Sequence, residues 1–299
     1  MKWISRLRYA FDQQEIIQEI IKNKTFNHLF SRLKFNKCIK ELDFCFDELN
    51  YSKIVYISHA IVNLKTVSKL KIKLVFFDNL LQEKDISVLY KTLRTLKSIE
   101  CLDIWFGGHV IERNALKILF NTFKYLALLV SLRFRLCGPT MNVNSLNYLL
   151  TTLSQLKSLS TLHICCPYIK YIKRRDTITT KMHFAPLKEI KTLTDIYLNF
   201  YNSKALLDED IKDLCLTLKD CNSLSKVHLE LSGCKKITDE SIKGINEFVN
   251  ERQNLLSLTL NIEKCKKISG KAKSNLRKSL KIINSHFQVI DKKRTCSLI

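Results

Sequence analysis

The sequence predicts an α/β solenoid shaped like a horseshoe: a parallel β-sheet on the concave face, helices on the convex face, and about eight strand–helix units in a row. Two observations carry this. One apolar pattern recurs at a nearly constant spacing, and within each unit the apolar period changes from about 3.6 residues to two. The stretch QLKSLSTLHI (155–164) shows the change, with Leu156, Leu159, Leu162 and Ile164 separated by three, three and two positions. TLKSIECLDI (95–104), EIKTLTDIYL (189–198) and LLSLTL (255–260) have the same shape. The first apolar residues of these motifs are Ile39, Val67, Ile99, Leu129, Leu159, Leu193, Leu224 and Leu255, at intervals of 28, 32, 30, 30, 34, 31 and 31. In an array of such units, no unit buries its apolar face alone, and stacked neighbours complete it.

Strands follow from the positions three, five and seven beyond each anchor. These hold Leu42/Phe44/Phe46, Leu70/Ile72/Leu74, Leu102/Ile104/Phe106, Leu132/Phe134/Leu136, Leu162/Ile164/Cys166, Ile196/Leu198/Phe200, Val227/Leu229/Leu231 and Leu258/Leu260/Ile262. Strict alternation describes a strand with one buried face. The helices follow from stripes at i, i+3, i+4 and i+7: Ile86/Leu89/Tyr90/Leu93, Leu146/Leu149/Leu150/Leu153 and Ile211/Leu214/Cys215/Leu218. Asp85, Asn144 and the run Thr238-Asp239-Glu240 stand where such helices begin. The fifth unit departs from the pattern. Its segment YIKYIKRRDTITTKMHFAPLKEI (168–190) is long and basic and contains Pro186, so a loop-side insertion with a short helix is expected.

These units resemble leucine-rich repeats of the ribonuclease-inhibitor-like type, over about residues 36–290. VHLELSGCKKITDESIKGI and LTLNIEKCKKISGKAKSNL also resemble the cysteine-containing subclass, with Cys234 and Cys265 at equivalent sites. Earlier units have no regular Asn or Cys there, so uneven turns are expected along the array. Cys234 and Cys265 are expected to serve as ladder residues, not as zinc ligands. The domain reading is a helical cap over 1–35, from the stripe Ile16, Ile17, Ile20 and Ile21, then the solenoid over 36–290, then a basic tail over 291–299. With 6 Gly and 3 Pro the chain has little room for flexible linkers.

Composition narrows the setting. The longest apolar run, YLALLVSL (125–132), is too short to cross a bilayer, and MKWISRLRYAF lacks the apolar core of a secretory signal. The 11 cysteines form no paired framework, which fits a reducing cytoplasm. The net charge of +22 points to an anionic partner, and residues 264–294 concentrate it, with Asp291 as their single acid. The final Cys296-Ser297-Leu298-Ile299 resembles a prenylation box, with Lys292, Lys293 and Arg294 directly upstream. A lipid on Cys296 together with that cluster would give peripheral membrane association, since one chain alone anchors only marginally.

Positions two, four and six beyond each anchor are expected to face the concave side. Lys69, Lys71 and Lys73, then Asp103 and Trp105, then Arg133 and Arg135 fall there, with Tyr197 further along. Trp and Arg are favoured anchors of protein interfaces, so Trp105 beside Arg133 and Lys73 is the expected contact cluster. Asp43, Asp103, Asp195 and Glu230 interrupt any continuous positive stripe of the kind that single-stranded nucleic acid follows. No phosphate-cradling glycine motif occurs. His163 and Cys165 share a strand face but have no third group to orient the imidazole. The expected function is therefore a non-enzymatic protein-interaction scaffold with no catalytic residue, cofactor or metal. The alternatives are a basic adaptor subunit that contacts nucleic acid or acidic proteins, and a small-GTPase regulator, which some proteins of this repeat type are.

Overall fold

A computed structural model describes residues 5–10, 16–21, 39–46, 54–55, 58–59, 61–62, 64–75, 83–107, 111–137, 141–170, 181–252, 254–283 and 287–290. Nine of its strands are parallel and lie side by side in chain order: β3 (Glu41–Phe46), β4 (Lys69–Val75), β5 (Cys101–Gly107), β6 (Ser131–Cys137), β7 (Thr161–Cys165), β8 (Asp195–Asn199), β9 (Lys226–Glu230), β10 (Ser257–Asn261) and β11 (Phe287–Ile290). Between them run α1 (Glu83–Leu93), α2 (Arg113–Phe123), α3 (Val143–Leu153), α4 (Asp208–Lys219), α5 (Asp239–Asn250) and α6 (Gly270–Ile283). Among its described residues the fifth unit has a 3₁₀ turn, Ala185–Glu189, opened by Pro186, where its sequence leads one to expect a short helix. The described residues form a solenoid of stacked strand–helix units whose parallel sheet stays open.

The register shows why the sheet is parallel. Leu70, Leu102, Leu132, Leu162, Ile196, Val227 and Leu258 are successive cross-strand partners. Two positions on, Ile72, Ile104, Phe134, Ile164, Leu198, Leu229 and Leu260 form a second ladder. All of these are buried against the helices. Burying one aliphatic side chain contributes roughly 1.5–3 kcal/mol, and each of these side chains rests on its counterparts in the next units. Phe120 and Phe123 of α2 meet Phe134 of β6 at 5.5 and 6.2 Å between ring centres, which joins the helix layer to the sheet.

The helix starts are tied to one another. Asp208, at the start of α4, accepts hydrogen bonds from the Thr238 backbone N–H and hydroxyl (both 2.8 Å) and from the Ser241 hydroxyl (2.5 Å). Asp239, at the start of α5, accepts from the Ser269 N–H and hydroxyl, both at 2.7 Å. Thr238 caps α5, as expected. For α3 the cap is Asn142, which accepts from the Ser145 N–H at 3.0 Å; Asn144, the sequence candidate, lies one residue inside the helix. The Cys234 and Cys265 thiols each donate to a carbonyl of the preceding unit at 3.2 Å, to Phe200 and Leu231, and so act as a ladder.

Two expectations are corrected. The stripe at Ile16–Ile21, read as helical, is the strand β2, which pairs antiparallel with β1 (Ser5–Ala10), and β1 pairs antiparallel with β3. A run of four β-branched residues in six suits a strand as well as a helix, and β3 would otherwise leave its N–H and C=O groups unpaired at the sheet edge. The array also has a ninth parallel strand, β11, beyond the eight expected. It escapes the pattern because Asn284 occupies the anchor position and only Phe287 and Val289 alternate. Among the described residues no helix is long and apolar enough to cross a membrane. Residues 291–299, including Cys296, lie outside the described residues.

Three residues past the ends of β7, β8, β9 and β10, the chain takes a left-handed turn at Tyr168, Asn202, Gly233 and Lys264. At Gly233 (φ +71°) a methyl group would stand 2.1 Å from the Asn202 side-chain oxygen. Gly233→Ala should therefore cost about 1–3 kcal/mol through strain and the clash. Lys264→Gly, at the same turn one unit later, should stay within about 1 kcal/mol of the parent. Urea-denaturation midpoints of the two variants check this.

Candidate binding face

Among the described residues, the strands have one face packed on helices and one free of them. Alternation places Lys71, Asp103, Arg133, His163, Tyr197 and His228 in one row across the free face. The neighbouring row holds Lys73, Trp105, Arg135, Cys165, Asn199 and Glu230. Every expected contact residue thus reaches the same side of the sheet.

The positive charge is less available than the sequence implies. Lys69 pairs with Glu41, its register partner, and is raised above the ordinary lysine range by that hydrogen bond. Lys71 meets Asp43 at 2.9 Å, and Arg135 meets Asp103 at 2.6 Å. Such pairs contribute about 0–1 kcal/mol where solvent reaches them, but they satisfy three of the five cations. Among the described residues Lys73 and Arg133 meet no acid, and Arg133 is exposed.

Trp105 is half-buried on this face. Its register partners on either side are Lys73 and Arg135, whose charged groups lie 4.2 and 5.3 Å from the ring centre, within cation–π range. The sequence placed Arg133 beside Trp105; the register makes Arg135 its neighbour and puts Arg133 opposite Asp103. The indole N–H donates to Cys137 Sγ at 3.2 Å.

Further along, His163, Tyr197 and His228 form an aromatic ladder, with ring centres 5.5 and 4.4 Å apart. Asn199 donates to the Tyr197 hydroxyl at 3.3 Å. Burial, then the charge of Arg133, pushes His163 below the ordinary histidine range, against the pull of Asp195 3.8 Å away. Burial also lowers His228, with His163 adding to it. Both imidazoles are therefore neutral near pH 7.

Cys137 ends β6 and Cys165 ends β7, and both are half-buried. A hydrogen bond from the Cys165 thiol, helped by Trp105 and Arg135, holds Cys137 below the usual thiol range despite burial. Giving that hydrogen bond, together with burial, pushes Cys165 up. Cys137 stands eight beyond Leu129, one alternate position past the three that mark each strand, so the repeat pattern does not single it out. No group of three or more His, Cys, Asp or Glu able to hold a metal ion occurs among the described residues.

No family model matches the chain, and no curated protein matches it. Solved structures to which it is similar include an internalin (inlF) from Listeria monocytogenes, with 12% identity, 94% of this chain and 91% of that one covered, and a TM-score of 0.28. The Rad7 and Elc1 complex in yeast is similar at 16% identity over 89% and 78% of the two chains, with a TM-score of 0.35. A protein from Bacteroides fragilis is similar at 12% identity over 97% of both chains, with a TM-score of 0.47.

The lowered histidines link stability to pH. Their unfolded-state value is about 6.5, so below it the unfolded chain takes up protons before the folded chain does, and stability falls as pH falls. The melting temperature should drop between about pH 7.5 and 5.5, and a His163→Gln/His228→Gln double variant should flatten that drop. Thermal scans across this interval measure it.

Proposed function

We propose that this chain is a non-enzymatic protein-interaction scaffold that binds a partner protein on the helix-free face of its sheet. The observation that carries this reading is the free face itself: Trp105, His163, Tyr197 and His228 present aromatic surface there, with Arg133 exposed beside it. Aromatic residues and arginine dominate interface energetics. They also lose little conformational entropy when strand register already holds them. The partner suited to Lys73, Arg133 and this aromatic row carries an acidic group among apolar side chains.

The finer points belong to the same proposal. The full helix in most units supports the ribonuclease-inhibitor-like type. The carbonyl bonds of Cys234 and Cys265 support a cysteine-containing subclass in the late units. The β1–β2 hairpin is taken as the cap of residues 1–35, and 36–290 as the solenoid.

A second reading rests on the last units, where Lys264, Lys266, Lys267, Lys271 and Lys278 are all exposed. This is a surface for an anionic partner, nucleic acid included, whose affinity would fall steeply with salt.

Affinity purification with mass spectrometry tests both readings. Trp105→Ala/Arg133→Ala should lose a protein that the parent recovers, and Lys266→Ala/Lys267→Ala/Lys271→Ala should not. If the first variant recovers the same proteins as the parent, the free-face reading fails. If only the second loses its partners, and the loss tracks salt or nuclease treatment, the anionic reading takes its place.

A further inference from the structure

Three groups converge on the sulfur of Cys137, and each is a donor or a positive charge. The Trp105 indole N–H points to it from 3.2 Å. Cys165 is the diagonal cross-strand neighbour, its thiol acting on Cys137 as a proton donor, and Arg135, two residues earlier on the same strand face, adds its charge. Arg135 and Cys165 are register partners, and side chains two apart share a face, so Cys137 and Cys165 are diagonal neighbours on the free face. A sulfur surrounded in this way is set up as a thiolate, with its neighbour holding the proton.

No other cysteine whose side chain is described has this setting. Cys101 is half-buried on the same face, but burial raises its thiol, with Lys69 opposing. Cys166, Cys215, Cys221, Cys234 and Cys265 are buried, and burial raises each of them.

We propose that Cys137 and Cys165 are a hydroperoxide-sensitive dithiol that closes to a disulfide. The Cys137 thiolate attacks one oxygen of hydrogen peroxide and the O–O bond breaks. The departing hydroxide takes the Cys165 proton and leaves as water, and Cys137 becomes a sulfenic acid. The Cys165 thiolate then attacks the Cys137 sulfur, the S–O bond breaks, and the second hydroxide takes the proton that Cys137 released on ionising. Two thiols lose two electrons and two protons, and one peroxide becomes two waters.

With strands about 4.8 Å apart and a rise of about 3.3 Å per residue, diagonal neighbours on this parallel pair lie roughly 8 Å apart at Cα, and disulfides span up to about 6.8 Å. Closure therefore asks for a movement on the order of 1 Å. That movement falls on the last residues of two strands, not on the middle of the ladder. Closure removes the thiolate that receives the Trp105 N–H, so oxidation should change the presentation of the indole. This last consequence rests on the free-face reading; the thiol chemistry does not.

The test treats the reduced full-length protein with one equivalent of hydrogen peroxide, digests it with trypsin without reductant, and weighs the peptides. The peptide that begins at Leu136 should be joined to the one that carries Cys165, with the loss of two hydrogens. The link should persist in Cys166→Ala and vanish in Cys137→Ser and in Cys165→Ser. Iodoacetamide at neutral pH should label Cys137 on the order of ten-fold faster than Cys101, and Trp105→Phe should slow it. Labelling no faster than Cys101 overturns the proposal, as does peroxide leaving Cys137 over-oxidised with no link, or a link made by Cys166 instead. Unchanged partner binding by the disulfide form would overturn the coupling to Trp105 and leave the dithiol standing.

Discussion

Contact between equivalent apolar side chains in successive units is the interaction on which the rest of this structure depends. Leu132 rests on Leu102 and Leu162, Phe134 on Ile104 and Ile164, and so on from β3 to β11. A unit of about 30 residues loses more entropy on ordering than its own few buried side chains offset. The ladder supplies the remainder, because every buried residue serves two interfaces. Parallel register follows, since only parallel strands bring the same offset of each unit into line. The polar ties follow the same logic: Asp208 to Thr238, Asp239 to Ser269 and Cys265 to Leu231 each reach one unit along the chain. Arg252 does likewise, its buried guanidinium donating to the carbonyls of Lys219, Cys221 and Leu224.

The same register that aligns the core also aligns the free face, and there it has an electrostatic consequence. Residues at equal offsets become direct neighbours, so Lys69 finds Glu41, Lys71 finds Asp43, and Lys73 lies against Trp105. A face that reads as basic along the chain is thus largely self-compensated across it in β3–β6. What it offers a partner is an aromatic strip with two cations, Lys73 and Arg133, that meet no acid among the described residues, and beside it two thiols, one of whose sulfurs receives the Trp105 N–H.

The core was legible in the sequence because period-two alternation and a repeat near 30 residues both report burial directly. The N-terminal hairpin was not, since Ile16, Ile17, Ile20 and Ile21 satisfy either period, and the choice is made by the exposed edge of β3, a long-range fact. The ninth strand was hidden by Asn284 at the anchor. Membership of the free face was legible residue by residue, because alternation fixes the side. Who touches whom was not. Arg133 and Arg135 are equally basic and share a face, and only the cross-strand register reveals that Arg135 meets Trp105 while Arg133 stays exposed. The Cys137–Cys165 pairing is likewise a cross-strand diagonal, with no counterpart in linear spacing.

Amide hydrogen exchange on a Leu162→Ala variant tests the dependence on stacking most directly. Leu162 is fully buried between Leu132 and Ile196, and the truncation costs about 2–5 kcal/mol. If the units hold one another up, protection should fall in β6 and β8 as well as β7, and the effect should fade toward β4 and β10. Protection lost in β7 alone, with both neighbouring strands unchanged, would contradict the account.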